Sequence, residues 1–164
     1  MRFIVKGRKS SREFTFSYSG SAYFAIISIT DVGSKNNIFN SNNKHLVDVC
    51  RVSFDDVDFG QENCITVADA KKILSFVDNN IDKVSFIIVQ CEAGISRSAG
   101  VCAGLMKIYN GDDFEIFDNP KYCPNMSCYR TILETYFGSY NEEEAEEKFW
   151  HNVEVTRKYE GWDD

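Results

Sequence analysis

Ser85-Phe-Ile-Ile-Val-Gln-Cys-Glu-Ala-Gly-Ile-Ser-Arg-Ser98 is the stretch from which the fold can be worked out. Residues 86–89 form an apolar run of strand type, and the strand ends in a loop that begins at Cys91. The loop leads directly into an apolar segment of helical length, which Asn110-Gly111 should terminate. A strand, a tight glycine-containing loop and a helix start bring backbone N–H groups together around an anion. The stretch therefore predicts an anion site with a thiol at one end and a guanidinium at the other.

The segments on either side alternate between strand and helix types. The pattern predicts an α/β fold: a single domain with a short, mainly parallel central sheet flanked by helices. Thr66 and Asp69 form a capping box, so a helix should begin there, with an apolar stripe of Ile65, Ala68, Ile73, Phe76 and Val77. A short helix is expected to open at Ser10 or Ser11. The remaining strands are expected at 3–5, 22–29 and 45–54, and the remaining helices at 98–108, 126–137 and from 141.

Length and composition limit what the chain can be. With 164 residues and 43% hydrophobic content, we expect one domain over 1–164, with a core at about 22–138. Residues 1–21 form a basic N-terminal segment, and residues 141–164 form an acidic helix that carries −6 of the net charge of −7. This acidity argues against a nucleic-acid partner, and no apolar run is long enough to span a membrane.

The first six residues lack the apolar core of a signal peptide, so we expect a cytoplasmic protein. Its six cysteines are then free thiols, and no Cys/His spacing suggests a metal site. We expect a monomer that needs no metal or other cofactor.

The pairing of Cys91 with Arg97 is more specific than it first looks. A cysteine followed by an arginine six residues on would arise by chance with a probability of roughly a quarter in this composition. Requiring Gly94 and Ser98 as well lowers this to about two in a thousand. None of the other five cysteines has an arginine at that spacing.

Each residue of the loop suits chemistry on a phosphate. A thiol attacks only when it is ionised, and a helix N-terminus with a nearby guanidinium favours the thiolate. The backbone N–H groups of Glu92, Ala93, Gly94, Ile95, Ser96 and Arg97 can surround the phosphate oxygens. Arg97 offers a bidentate fork to phosphate, and Ser98 can donate to the Cys91 sulfur.

Carboxylates follow another predicted strand. Asp55, Asp56 and Asp58 come directly after the strand at 45–54. Because ligands of parallel sheets bind outside the carboxyl ends of the strands, these acids and Cys91 are expected to lie at the same edge.

At these residues the sequence resembles the cysteine-based protein tyrosine phosphatases. It is most similar to the compact dual-specificity-like branch, which includes predicted bacterial and phage members. The signature His-Cys-x-x-Gly-x-x-Arg-Ser/Thr is matched by Cys91, Gly94, Arg97 and Ser98, and Ala93 to Ser98 has the AGISRS form of that branch.

The resemblance implies hydrolysis of phosphotyrosine, or of phosphoserine and phosphothreonine, in a phosphoprotein or phosphopeptide. Cys91 would form a phosphocysteine intermediate, while an aspartate protonates the leaving oxygen. The family places that aspartate some thirty-odd residues before the cysteine. Asp56 lies 35 residues before Cys91 and is our first choice, with Asp58 and Asp55 as alternatives.

One position departs from the family pattern. Gln90 stands where the family has His before the cysteine. Gln can hydrogen-bond to the loop backbone but cannot carry a positive charge, so we expect a less readily ionised thiol and slower turnover. Two other functions stay open: a phosphate-binding pseudophosphatase with little or no activity, and an RNA 5′-triphosphatase that uses the same loop.

Overall fold

The computed structural model of the chain describes residues 1–161. Four strands form one sheet in the order β1-β4-β2-β3, and all three neighbouring pairs are parallel. Helices flank this sheet, as the sequence predicts. The strands are β1 (Arg2–Lys6), β2 (Phe24–Thr30), β3 (Leu46–Ser53) and β4 (Phe86–Gln90). The helices are α1 (Arg8–Ser17), α2 (Val67–Asn80), α3 (Arg97–Asn110), α4 (Phe114–Phe117), α5 (Met126–Phe137) and α6 (Glu142–Glu160).

The two central strands are buried over their whole length. Every residue of β2 and β4 is buried, which is the pattern of parallel strands that are covered on both faces. Helix α1 covers one face, where Phe24 and Phe86 stack with ring centroids 5.3 Å apart against Phe14 and Tyr18. The other face packs against α2 and α3, which in turn contact α5, and this side holds the larger apolar cluster.

The carboxyl ends of the four strands meet at one edge of the sheet. Lys6 of β1 and Ser28 of β2 both pair with Gln90 of β4, and Thr30 pairs with Ser53 of β3. The residues that follow the strands therefore lie close together in space. This edge carries the candidate site described below.

Several helix boundaries agree with the sequence. The Thr66–Asp69 capping box is formed in both directions at the start of α2. Gly111 ends α3 in the left-handed conformation, at φ +76°. Helix α5 spans the predicted residues, and its N-cap is Asn125, whose side chain accepts a hydrogen bond from the Cys128 N–H.

Three expectations about helices differ from the structure. Helix α1 opens at Arg8, earlier than Ser10 or Ser11, after a glycine N-cap with no side-chain bond to mark it. Ala68 is exposed, and Ala70 and Leu74 are buried in its place, because the buried face of α2 is rotated from the predicted stripe. The short helix α4 was not predicted.

The acidic C-terminal helix is present as α6, and the last three residues of the predicted span 141–164 lie outside the described ones. Glu144 ties α6 to α3 through Lys107 (2.5 Å), and it also contacts Lys148 (3.1 Å). Hydrogen bonds from these two lysines lower the pKa of Glu144. No helix within the described residues is both long and apolar enough to cross a bilayer.

Candidate active site

Cys91 lies at the centre of the sheet edge. It follows β4 directly and precedes α3, so its thiol sits near the N-terminus of a helix of 14 residues. The residue is only 2% exposed. Its Sγ lies 3.0 Å from the Oγ of Ser98, which is fully buried in the first turn of α3. A hydroxyl at that distance can stabilise a thiolate.

The loop from Cys91 to Arg97 is closed against the end of β1. Gly94 has φ +71°, and a Cβ on it would lie 2.4 Å from the Gly7 nitrogen. The Arg8 N–H donates to the Glu92 carbonyl at 3.0 Å. Within residues 1–161, the N–H groups of residues 92–97 donate to no protein acceptor. A glycine at position 94 therefore allows a tight loop whose N–H groups remain available to an anion.

Arg97 is a buried cation. One of its nitrogens, Nη1, donates hydrogen bonds to the protein, and another, Nε, has no acceptor. Its side chain is 6% exposed, and Nη1 donates to the Asp31 carboxylate at 2.5 Å and to the Phe54 carbonyl at 2.8 Å. Its Nε is buried without an acceptor. Leaving a charged donor unsatisfied in the interior is costly, so this edge of the guanidinium is suited to an oxyanion.

Gln90 is fully buried and supports the loop through hydrogen bonds alone. Its Oε1 accepts from Ser28 Oγ at 2.7 Å and from Asn37 Nδ2 at 3.3 Å. Its Nε2 donates to the carbonyl of Cys91 at 3.1 Å. The predicted bond from Gln90 to the loop backbone is thus present, within a neutral polar network.

The acidic loop, residues 55–59, reaches the Cys91–Arg97 loop through Asp56. The Oδ1 of this exposed carboxylate accepts from Ser96 Oγ and from Asn125 Nδ2, each at 2.8 Å. Its Oδ2 makes no hydrogen bond to the described residues, so that oxygen is free to hold a transferable proton. Asn125 also donates to the Val57 carbonyl at 3.2 Å and so fixes this loop at two points.

The other two aspartates have different surroundings. Asp55 accepts from the Val32 N–H (2.9 Å) and from Asn63 (3.1 Å), and so joins neighbouring loops. Each of its two carboxylate oxygens already accepts a hydrogen bond from the protein. Asp58 lines a cleft beside Asp56.

Two residues of the site were not recognised from the sequence. Asp31, which binds Arg97, stands among turn-forming residues after β2. Its position directly after a buried strand is the signal that drew attention to Asp55–Asp58 and would have identified it. Asn37 comes from an asparagine-rich loop, and nothing in that composition distinguishes it from its neighbours.

The other buried cysteines are chemically unlike a nucleophile. Burial raises the pKa of Cys102 and that of Cys128, so both stay protonated at neutral pH. Within the described residues, no group of three or more His, Cys, Asp or Glu side chains could hold a metal ion.

The chain shares its fold with solved structures of phosphatases and phosphatase-like proteins. The crystal structure of human DUSP28 aligns with a TM-score of 0.59 and 14% identity, over 83% of this chain and 92% of that one. Human tyrosine phosphatase-like serine/threonine/tyrosine-interacting protein aligns with a TM-score of 0.59 and 15% identity, over 82% and 91%. At these identities the likeness establishes the fold. Comparison with protein-family models gives no match, and comparison with curated protein sequences gives none either.

Proposed function

We propose that the chain is a phosphoprotein phosphatase that hydrolyses phosphotyrosine through a phosphocysteine intermediate on Cys91. The observation that carries the proposal is Arg97, a buried cation whose Nε lacks an acceptor, on the loop that starts with the Cys91 thiol. A bound phosphate monoester would accept from this edge of the guanidinium and from the free N–H groups of residues 92–97.

In the first step the Cys91 thiolate attacks phosphorus. The S–P bond forms as the bond from phosphorus to the leaving oxygen breaks, and the protonated Asp56 transfers its proton to that oxygen. Asp56 is the preferred acid because its carboxylate lies against Ser96 of the loop and keeps Oδ2 free. Asp58, in the neighbouring cleft, is the alternative.

In the second step water attacks the phosphocysteine. Asp56 accepts the proton of this water, the new P–O bond forms, and the S–P bond breaks to release the Cys91 thiolate and inorganic phosphate. Ser98 Oγ, 3.0 Å from the sulfur, donates to the departing thiolate and so favours this step.

A second candidate is a phosphate-binding protein with little turnover. Gln90 favours it, because its buried network is neutral and supplies no positive charge beside Cys91. One of the aligned structures is itself named a tyrosine phosphatase-like interacting protein, so the fold alone does not separate the two functions. The third candidate, RNA 5′-triphosphatase activity, is disfavoured by the acidic cleft that adjoins Asp56.

Hydrolysis of a small aryl phosphate by the wild type, Cys91→Ser and Asp56→Asn distinguishes these functions. The phosphatase proposal expects turnover by the wild type, none by Cys91→Ser, and a decrease of about 10²-fold or more for Asp56→Asn. Retained phosphate binding without turnover would favour the binding protein. Equal rates for the wild type and Cys91→Ser would exclude the thiol mechanism.

A further inference from the structure

A cleft of about 630 Å³ opens directly beside the candidate active site. Asp56 and Ser96 belong to both, so the cleft is continuous with the Cys91–Arg97 loop. Its walls are the acidic loop, the turn before α5 and the first turns of α6. A protein segment whose phosphate reaches Arg97 would therefore have this cleft next to it.

The cleft has aromatic walls. Phe59, Tyr140 and Phe149 line it, and Phe59 is 56% exposed. Aromatic faces bind the alkyl stems of long basic side chains and attract their charged ends.

The charges that line the cleft are unbalanced. Asp58, Glu142 and Glu146 contribute to its surface, and Arg130 is the single basic residue that lines it within the described part of the chain. Arg130 is already bound by Glu142 at 3.2 Å and by Glu134 at 3.3 Å. The carboxylates of Asp58 and Glu146 have no hydrogen bond or ion pair to residues 1–161. A net negative potential therefore remains where a ligand would lie.

The cleft already accommodates one guanidinium. Arg130 lies over the Phe59 ring at 4.1 Å and faces the Tyr140 ring at 5.2 Å. It combines these aromatic contacts with the ion pair to Glu142. The aromatic side chains of the cleft, together with the unpaired carboxylates of Asp58 and Glu146, are therefore suited to bind a second cationic side chain that belongs to a ligand.

We propose that this cleft binds an arginine or lysine side chain of the substrate, close in sequence to the phosphotyrosine. The inference rests on the proposed function and adds a substrate class to it: phosphorylated protein segments with a basic residue near the phosphorylation site. Glu146 on α6 supplies charge specificity, and the aromatic walls hold the side-chain stem.

The test uses phosphotyrosine peptides that carry one arginine at successive positions on either side of the phosphotyrosine, with matched alanine and glutamate peptides. For exposed charges, we expect arginine at the best position to raise kcat/KM by about three- to tenfold over alanine, and glutamate to lower it. High salt should reduce the preference. Glu146→Lys should abolish or reverse it.

Glu147→Lys is the matched control, because it makes the same charge change on the same helix at an exposed residue outside the cleft. It should keep the preference of the wild type, and both variants should keep the wild-type rate on a small aryl phosphate. Aryl phosphate hydrolysis without any preference for arginine would overturn the cleft inference and leave the phosphatase proposal standing. An equal effect of the two variants would overturn it as well.

A wild type that hydrolyses neither aryl phosphate nor peptide would refute the phosphatase proposal instead. Equilibrium binding of the same peptides, measured by fluorescence anisotropy, then tests whether the cleft binds a basic side chain. The cleft inference would be supported if the arginine peptide bound more tightly than the alanine peptide and if Glu146→Lys removed this difference. Equal binding of arginine, alanine and glutamate peptides would exclude it.

Discussion

Replacing Gly94 with alanine tests whether the loop must lie against β1 for the site to work. Gly94 sits in the left-handed region at φ +71°, and its backbone contacts Gly7 where β1 passes into α1. The added methyl group leaves the reacting groups unchanged, since it removes no charge and no hydrogen-bonding group. Any loss of activity would come from displacement of the loop.

The structure gives the size of the effect. The left-handed conformation costs alanine about 1–2 kcal/mol. The new Cβ would lie 2.4 Å from the Gly7 nitrogen and 2.6 Å from the Lys6 carbonyl carbon, so the two backbones must separate by about 1 Å to reach ordinary contact. That shift also removes the bond from the Arg8 N–H to the Glu92 carbonyl, which is worth about 1 kcal/mol. We expect Gly94→Ala to lower the free energy of unfolding by about 2–4 kcal/mol.

Activity should fall further than stability alone would predict. A displacement of about 1 Å at a catalytic centre can cost about 10²-fold in rate, and Cys91 and Arg97 are both on the loop that moves. Urea denaturation gives the stability, and hydrolysis of an aryl phosphate well below the unfolding transition gives the rate.

Gly111→Ala is the control for this experiment. Gly111 has φ +76° at the end of α3, but a Cβ there would meet nothing within 4 Å. The Gly111→Ala variant should therefore have a free energy of unfolding lower by about 1–2 kcal/mol and should keep the activity of the wild type. If Gly94→Ala turned over substrate like the wild type, or behaved like Gly111→Ala in both measurements, the tight contact between the loop and β1 would not be needed for the site.

Three further predictions concern the residues around the site and α6. Asp31→Ala should lower kcat/KM by about tenfold, because Arg97 loses a charge-assisted bond; a faster enzyme would show that the Asp31 charge opposes phosphate binding. Asn125→Ser keeps an oxygen to cap α5 but loses the amide that holds Asp56, so kcat should fall by about three- to tenfold at nearly unchanged stability; an unchanged kcat would contradict this role. Glu144 has a lowered pKa, so its carboxylate stabilises the fold above about pH 4.5, and this contribution is lost as the pH falls through the lower native value. Glu144→Gln should thus be less stable than the wild type at pH 7 by under about 1 kcal/mol, and urea titrations should show the difference vanishing in acid; a constant difference would refute this.

Local patterns in the sequence were enough to predict most of the helices and strands. The buried strands are mostly apolar, α2, α5 and α6 begin with capping side chains, and glycines mark the ends of α3 and α5. A parallel sheet could be predicted because a segment of helical length separates β3 from β4. In a parallel sheet Cys91 and Asp56, which follow these strands, lie at the same edge. The start of α1 was missed because Gly7 offers no capping side chain.

The contacts that complete the site could not be read from local patterns. Asp31 and Arg97 are 66 residues apart in the chain, and Asn37 and Gln90 are 53 apart. Such pairs depend on how the strand ends and loops are arranged in three dimensions. A short polar side chain in a turn gives no sign that a buried arginine will lie beside it.

The most direct test of the central claim is to trap the phosphoenzyme. Wild-type protein is mixed with excess aryl phosphate, quenched in acid within one turnover and digested, and the peptide that contains Cys91 is examined by mass spectrometry. Our account predicts a phosphoryl group on Cys91 in the wild type, a larger trapped fraction in Asp56→Asn with a substrate whose leaving group needs no proton, and none in Cys91→Ser. Turnover of the substrate by the wild type without any phosphorylated Cys91 would contradict it.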